Sequence, residues 1–364
     1  MDGIEVLDFT TLLPGPMATL LMAEAGATVT KVERPGMGDE MRNYEPRLGT
    51  TSVNFALLNR GKRSLAIDLK ADDAHERLRP LLEGADVLVE QFRPGVMARL
   101  GLGYADVAEI NPGIVYCSIT GYGQEGARAG IAAHDLNYVA DAGLLDLVAG
   151  TDGEPVLPHA LIADIGAGAY PAVMNVLLAV LERDRTGTGR HLDIAMTDGV
   201  LAWMYWAYGN GLVDGQWPRR GAELLTGASP RYAIYRTADG RHVAAAPLEE
   251  RFWTALCDML DLPEELRDDA RDPDATKAAI AERFARHPAA EWEKRFAGAD
   301  VCCSIVRTVE EAAADPAFAA RGLFDRVTGD GAGATTPALP VPLDPGLLDP
   351  AARAAAPALG EDGP

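Results

Sequence analysis

Along the first 195 residues, short apolar blocks alternate with longer helical stretches. IEVLDFT at 4–10 predicts a strand, and LLPGP at 12–16 turns the chain into a helix, MATLLMAEAG, that stops at Gly26. TVTKVERP at 28–35 predicts a second strand closed by a proline. These elements form a strand–helix–strand unit with parallel strands and a right-handed crossover. The alternation continues with strands SLAIDL (64–69), DVLVEQF (86–92) and GIVYCSIT (113–120), the first two separated by the helix ADDAHERLRPLLEGA. A helix, YPAVMNVLLAVLERDRTGTG, and a strand, HLDIAMTD, complete the series. Such a series predicts an α/β fold on a doubly wound, Rossmann-like parallel sheet.

The pattern changes after about residue 205. RYAIYRTADGRHVAAAP (231–247) has two short strands around ADG, a hairpin signal. Two helices follow, EERFWTALCDML and DATKAAIAERFARH, the second with Asp274 as its expected N-cap. Residues 229–312 therefore read as a smaller α+β domain, with 206–228 as a linker. From about residue 330 the chain is rich in Gly, Ala and Pro, and its last fourteen residues are expected to be loosely ordered.

Composition narrows the partners. A formal charge of −21 argues against nucleic acid and anionic membrane surfaces, which would repel it. One small anionic ligand at a local basic cluster remains compatible. The four cysteines show no CxxC spacing and read as free thiols in a reducing compartment. No signal peptide and no apolar run of about 18–20 residues is read, so a soluble cytoplasmic protein is expected. GYGQEG at 121–126 fits a dinucleotide fingerprint but runs into ARAGIAAHD without the required βα unit. It reads as a glycine turn.

Candidate chemistry falls in three places. NRGKRS gathers Arg60, Lys62 and Arg63 before a strand, and QFRPGVMARLGLG adds Arg93 and Arg99 after one. Cations beside strand ends suit a phosphate-bearing ligand in the crevice of an open sheet, or are solvated loop charges. In GIAAHDLNYVADAG an imidazole, His134, stands beside Asp135 in a small-residue stretch. In LPHALIADIGAGAY, Asp164 precedes a helix as a possible N-cap, yet Gly166 and Gly168 cost helix propensity that a cap does not need. Glycines there would let a ligand carbonyl reach backbone amides. A His/Asp acid–base pair or a satisfied core histidine both fit, with His159 a competing candidate.

Taken together, these segments resemble the family III CoA transferases (CaiB/BaiF type) and, within them, the α-methylacyl-CoA racemases. The resemblance runs from residue 4 to about 325. It rests on VLDFTTLLPGPMATLLMAEAGATVTKVERPGMGDEMR, NRGKRSLAIDLK, FRPGVMARLGLG, ITGYGQEG, AAHDLNYVADAGLL, IADIGAGAY, LERDRTGTGRHLDIAMTDGV and YRTADGRHVAAAPLEERFW. It implies that Asp164 is the transferase nucleophile or one racemase acid/base. It further implies that His134 is the racemase histidine and that Glu249 is a glutamate paired with the aspartate. Arg34, Arg60, Lys62, Arg63, Arg93 and Arg99 fall in segments that hold the adenine and phosphates of CoA, with Tyr138 and Gly166 also at the ligand. The implied protomer has two domains: residues 1–205 with 313–364 as a discontinuous large domain, and 229–312 as the small one. Two such chains interlock as a homodimer with active sites between them.

The implied reaction is inversion of the α-carbon of a 2-methylacyl-CoA through an enolate. His134 serves one face and Asp164, poised with Glu249, the other, with amides near Gly166 holding the enolate. The rival reaction is CoA transfer, in which Asp164 attacks the acyl-CoA carbonyl and then carries CoA as a thioester. RRGAELLTGASPRY lacks the glycine run of the formyl-CoA type, which favours the racemase. A non-enzymatic acyl-CoA-binding role ranks third. No metal or redox cofactor is expected; CoA enters as part of the substrate. LAWMYWAYGNG (201–211) could line an acyl pocket, or form a core or interface helix.

Overall fold

The computed structural model describes residues 1–150 and 153–363. Six strands form one sheet: β1 (Glu5–Phe9), β2 (Thr28–Glu33), β3 (Arg63–Ala66), β4 (Val87–Glu90), β5 (Val115–Thr120) and β6 (Arg190–Ala195). Their order is β3-β2-β1-β4-β5-β6, and every pair is parallel. Strand order reverses between β1 and β4, and in such sheets ligands bind in the crevice outside the carboxyl ends at that point. β4 and β5 are buried along their whole length, as continuous apolar runs in a parallel sheet must be.

Helices cover both faces. Alternation along β1 sends Leu7 and Phe9 into a core with Leu78 and Leu82 of the helix Ala74–Gly84. Asp8 points the other way and accepts from Thr19 Oγ1 at 2.6 Å on α1 (Pro14–Glu24), all of whose residues are buried. After β5 come α2 (Asp135–Asp141), a π-helical turn (Ile162–Ala169), α3 (Tyr170–Thr186) and, following β6, α4 (Met196–Trp203).

Two sequence expectations fail at the basic cluster. Lys62 is fully buried: its Nζ meets Asp8 Oδ2 at 3.1 Å, Asn59 Oδ1 at 2.8 Å and Pro16 O at 3.0 Å. Arg60 is also buried, donating from Nε to Glu24 Oε1 at 2.6 Å and from its terminal nitrogens to the carbonyls of Leu57 and Leu339. Lys62 has no donor left for a phosphate, and Arg60 is enclosed with Nε and both terminal nitrogens engaged by Glu24, Leu57 and Leu339. Beside them Lys31, equally buried, pairs with Asp39 at 3.1 Å and donates to Thr10 O at 2.6 Å. Burial works to raise the pKa of Asp8, yet Lys31, Lys62 and the hydroxyls of Thr10 and Thr19 hold it well below the carboxylate range. Burial lowers the Lys62 ammonium to about 8 against the pull of Asp8.

The chain divides into two compact units, one of residues 1–142, 158–203 and 317–364, the other of 143–157 and 204–316. In the first, the tail expected to be loose docks on the edge strand β3. Ser64 N donates to Asp362 Oδ2 at 2.8 Å, Asp362 N returns to Ser64 O at 3.1 Å, and Gly61 N reaches Ala355 O at 3.2 Å. An open edge carries unpaired backbone groups, and here the tail takes them; its last residue, Pro364, lies outside the described residues. The second unit holds an antiparallel sheet of Ala233–Arg236, His242–Ala245 and Cys303–Ile305, with a core of Tyr235, Trp253, Phe284 and Trp292. Part of the expected linker is helical, Tyr205–Asp214. The helix expected to start at Asp274 is capped instead by Asp272, which accepts from Ala275 N at 2.9 Å with Pro273 behind it.

The length of the π turn plus α3 also departs from expectation. Ile162–Thr186 is one continuous helical stretch of 25 residues, long and apolar enough by composition to cross a membrane. Ala163, Ala167, Gly168, Ala169, Ala172, Val176 and Ala179 are buried within the unit, whereas Tyr170, Met174, Leu177, Leu178 and Leu181 stay exposed.

Removing one partner of a buried pair strands the other charge, at a typical cost of about 3–5 kcal/mol. Asp8→Ala should therefore destabilise the protein by that order in urea titration. An unchanged midpoint would contradict the burial of Lys62 and Lys31.

Candidate active site

The backbone leaving β1 is shaped by buried polar groups. Thr10 N donates to Asp8 Oδ1 at 2.9 Å, and Leu12 N to Asp39 at 3.1 Å. Gln91 Nε2 donates to Thr11 O at 2.5 Å while its Oε1 accepts from Gly15 N at 3.0 Å. Leu12 is thereby held at φ +61°, a conformation L-residues rarely adopt. Leu12, Leu13 and Pro14 form one wall of a cavity of about 310 Å³ at the carboxyl ends of β1, β4 and β5.

His134 and Asp164 line the same cavity, together with Arg93, Tyr138 and Met196. His134 is the exposed residue that opens α2; its N–H donates to Asn137 Oδ1 at 3.0 Å and its carbonyl accepts from Asn137 N at 2.8 Å. Asp164 is the third residue of the π turn and half-buried. Such turns recur at functional sites. Asp164 is not the cap of this segment. Its own amide and that of Ala163 donate to Asp135 Oδ1, at 2.9 and 2.7 Å. Burial raises the Asp164 pKa to about 6; the charge of Asp135 adds to the rise and His134 opposes it. A carboxyl so placed exchanges protons near neutrality.

The glycines serve packing. A β-carbon at Gly121 would strike the Tyr138 ring, which stands edge-on to Tyr122 and donates from its hydroxyl to Ala133 O at 2.8 Å. GYGQEG is a turn, with Gly123 and Gly126 at φ +85° and +98°. A β-carbon at Gly166 would overlap the Trp203 ring, and one at Gly168 would sit 3.0 Å from Met196. Gly166 is absent from the cavity wall, so close approach of α4, rather than of a ligand, is what it permits.

A second cavity of about 390 Å³ opens beyond β1, β2 and β3, lined by Phe9, Val32, Ile67, Leu69 and Leu100 among apolar groups and by Arg34 and Lys70 as cations. Lys70 escaped the sequence reading although it closes the block SLAIDLK. Arg93 lines the first cavity; Arg99 is exposed at the end of the short helix Val96–Arg99 and lines neither. Arg63 is exposed where β3 begins and also lines neither. Glu249 is exposed in the second unit, immediately before the helix Glu250–Met259. His159 is exposed and outside both cavities. Among the described residues no cluster of three His, Cys, Asp or Glu could hold a metal ion.

A Rossmann-like crevice with a half-buried carboxyl of raised pKa at its rim defines a class, and comparison with known proteins gives the family. Residues 1–363 match CoA-transferase family III, and the chain belongs to that family. It is 34% identical to acetyl-CoA:oxalate CoA-transferase of Acetobacter aceti, across 100% of this chain and 93% of that protein. It is 37% identical to α-methylacyl-CoA racemase of Mus musculus, across 86% of this chain and 79% of that one. The crystal structure of a CAIB/BAIF family protein from Brucella suis superposes with a TM-score of 0.84 at 30% identity, covering 100% of this chain and 97% of that chain. The chain is thus an enzyme of a family that includes both racemases and CoA-transferases.

The raised pKa of Asp164 has a consequence for stability. A carboxyl whose folded pKa lies above its ordinary 3.8 disfavours the fold once ionised, so the penalty grows as pH rises from about 4 through 6 and is full above. Asp164→Asn should raise Tm at pH 8 and leave it near wild type at pH 4, read by calorimetry. Equal changes at both pH values would contradict the burial of this charge.

Proposed function

We propose that the protein is an acyl-CoA racemase that inverts the α-carbon of a 2-methylacyl-CoA by 1,1-proton transfer. The observation that carries this reading is the pair His134 and Asp164 on the wall of one cavity, the carboxyl poised near pH 6. One group removes the α-proton, the electron pair moves into the thioester carbonyl as an enolate, and the other returns a proton to the opposite face. Glu249 is proposed to work with Asp164. Arg34, Lys70 and Arg93 are proposed for the phosphates and adenine, Lys70 replacing the buried Arg60 and Lys62; the nucleotide end would lie in the second cavity.

The reading extends to a homodimer. Tyr170, Met174, Leu177, Leu178 and Leu181 recur at helical spacing on the exposed side of α3, an apolar stripe that a second copy would cover. A cytoplasmic enzyme with an acyl-CoA substrate and no resident cofactor completes the proposal.

CoA transfer stays as the second reading because a carboxyl of pKa about 6 is mostly ionised at pH 7 and so competent as a nucleophile. In that reaction Asp164 Oδ bonds to the acyl carbon, CoA thiolate leaves, and the thiolate then attacks the aspartyl carbonyl of the anhydride to release the acid.

The two readings part in deuterated water. A racemase fed one epimer of 2-methylacyl-CoA should gain one deuterium per inversion, and His134→Ala should cut the rate about 10²–10⁴-fold. Rapid movement of CoA to a free carboxylate, without deuterium uptake and with the His134 variant fully active, would overturn the racemase.

A further inference from the structure

Asp135 is a buried carboxyl residue with no place in the reaction described above. The opening amides of a helical turn lack partners within it, and a side chain usually supplies the acceptor from the residue just before the turn. Here Leu161 stands at that position and makes no side-chain bond. The acceptor comes from far upstream in sequence, 28 and 29 residues before the amides it meets: Oδ1 of Asp135 takes Ala163 N at 2.7 Å and Asp164 N at 2.9 Å. Asp135 is itself the first residue of α2, directly after His134. One carboxylate thus ties the segment bearing the carboxyl group to the segment bearing the imidazole.

We propose that Asp135 is a positioning residue: by capping Ala163 and Asp164 it fixes the Asp164 carboxyl in register with His134. This rests on the role proposed for Asp164, in either reaction. A second effect follows from the same contact. The Asp135 charge disfavours the ionised form of Asp164, so the residue that aims the carboxyl also strengthens its hold on a proton.

The charged surroundings support this assignment. Asp164 feels Asp135 and His134, and Tyr138 on α2 lies within range of both carboxyl groups. The elements packed on the π turn also carry Asp141 of α2, Glu24 of α1, Tyr116 and Cys117 of β5, Arg190, His191 and Asp193 of β6, Asp198 of α4, Tyr170 at the start of α3, and Glu182, Arg183, Asp184 and Arg185 near its far end. Glu24 is held by Arg60 and Arg326, Asp193 accepts from Gln124 N at 2.9 Å, and Arg183 pairs with Asp86.

Two substitutions separate aim from charge. Asp135→Asn keeps an oxygen for both amides and removes the charge; Asp135→Ala removes both. The Ala variant should lose kcat about 10²-fold with KM little changed, the usual cost of a misplaced catalytic group. The Asn variant should recover most of that loss, while the acid limb of its pH–rate profile moves to lower pH. The Asp164 carboxyl should move the same way in a ¹³C NMR titration of aspartate-labelled full-length protein, assigned with Asp164→Asn. Parallel losses in both variants that track Tm, with the titration unmoved, would overturn the proposal. If wild type shows neither α-proton exchange nor CoA transfer, the functional reading fails. The NMR titration then decides the assignment alone: an unmoved Asp164 refutes it and an acid shift sustains it.

Discussion

Asp8, fully buried on β1 with Lys31 and Lys62 around it, is the contact on which the crevice at the strand ends depends. A buried carboxylate between two ammonium groups survives only if every lone pair and proton finds a partner. The partners here are the backbone and side chains of the turn that follows β1. Lys31 holds Thr10 O, Asp39 holds Leu12 N, and Gln91 holds Thr11 and Gly15. A turn gripped at Thr10, Thr11, Leu12 and Gly15 can keep Leu12 at positive φ, and the wall of the cavity stands where that turn stands.

The same economy governs the helical stretch Ile162–Thr186. Its first turn is small and polar at one position, Asp164, and is tied at its start by Asp135. Glycine and alanine let α4 come close enough to bury that turn, and the burial raises the Asp164 pKa. Beyond Ala169 the helix becomes an ordinary amphipathic one with an apolar outer stripe. Small residues are concentrated at its start, and large exposed apolar ones follow along its later turns.

The sheet was legible because short apolar blocks alternate with helical stretches, continuous in β4 and β5 and broken by charged positions in the others, and all six strands overlap those blocks. His134 and Asp164 were legible as a polar pair in small-residue surroundings, and they share a cavity. The basic cluster was not. Arg60, Lys62 and Arg63 are nearly adjacent, yet the first two are interior and the third exposed, a difference made by Glu24 and Asp8 far upstream. Local sequence carries no sign of which cation has a distant buried partner. Asp135 was hidden for the converse reason: standing beside His134 it reads as an ordinary first-turn acid, and its acceptor role appears only when residue 163 is brought to it. The tail read as loose by composition, but Asp362 meets both backbone groups of Ser64 on β3, one with its side chain and one with its amide.

The proposed racemase reaction requires the two groups on the cavity wall to act on the α-carbon of a thioester from opposite sides. A crystal structure with a non-reactive 2-methylacyl-CoA analogue tests it most directly. The α-carbon should lie between the His134 imidazole and the Asp164 carboxyl, each within about 3–3.5 Å of it. A complex with Asp164 against the thioester carbonyl carbon and His134 turned away from the ligand would contradict it.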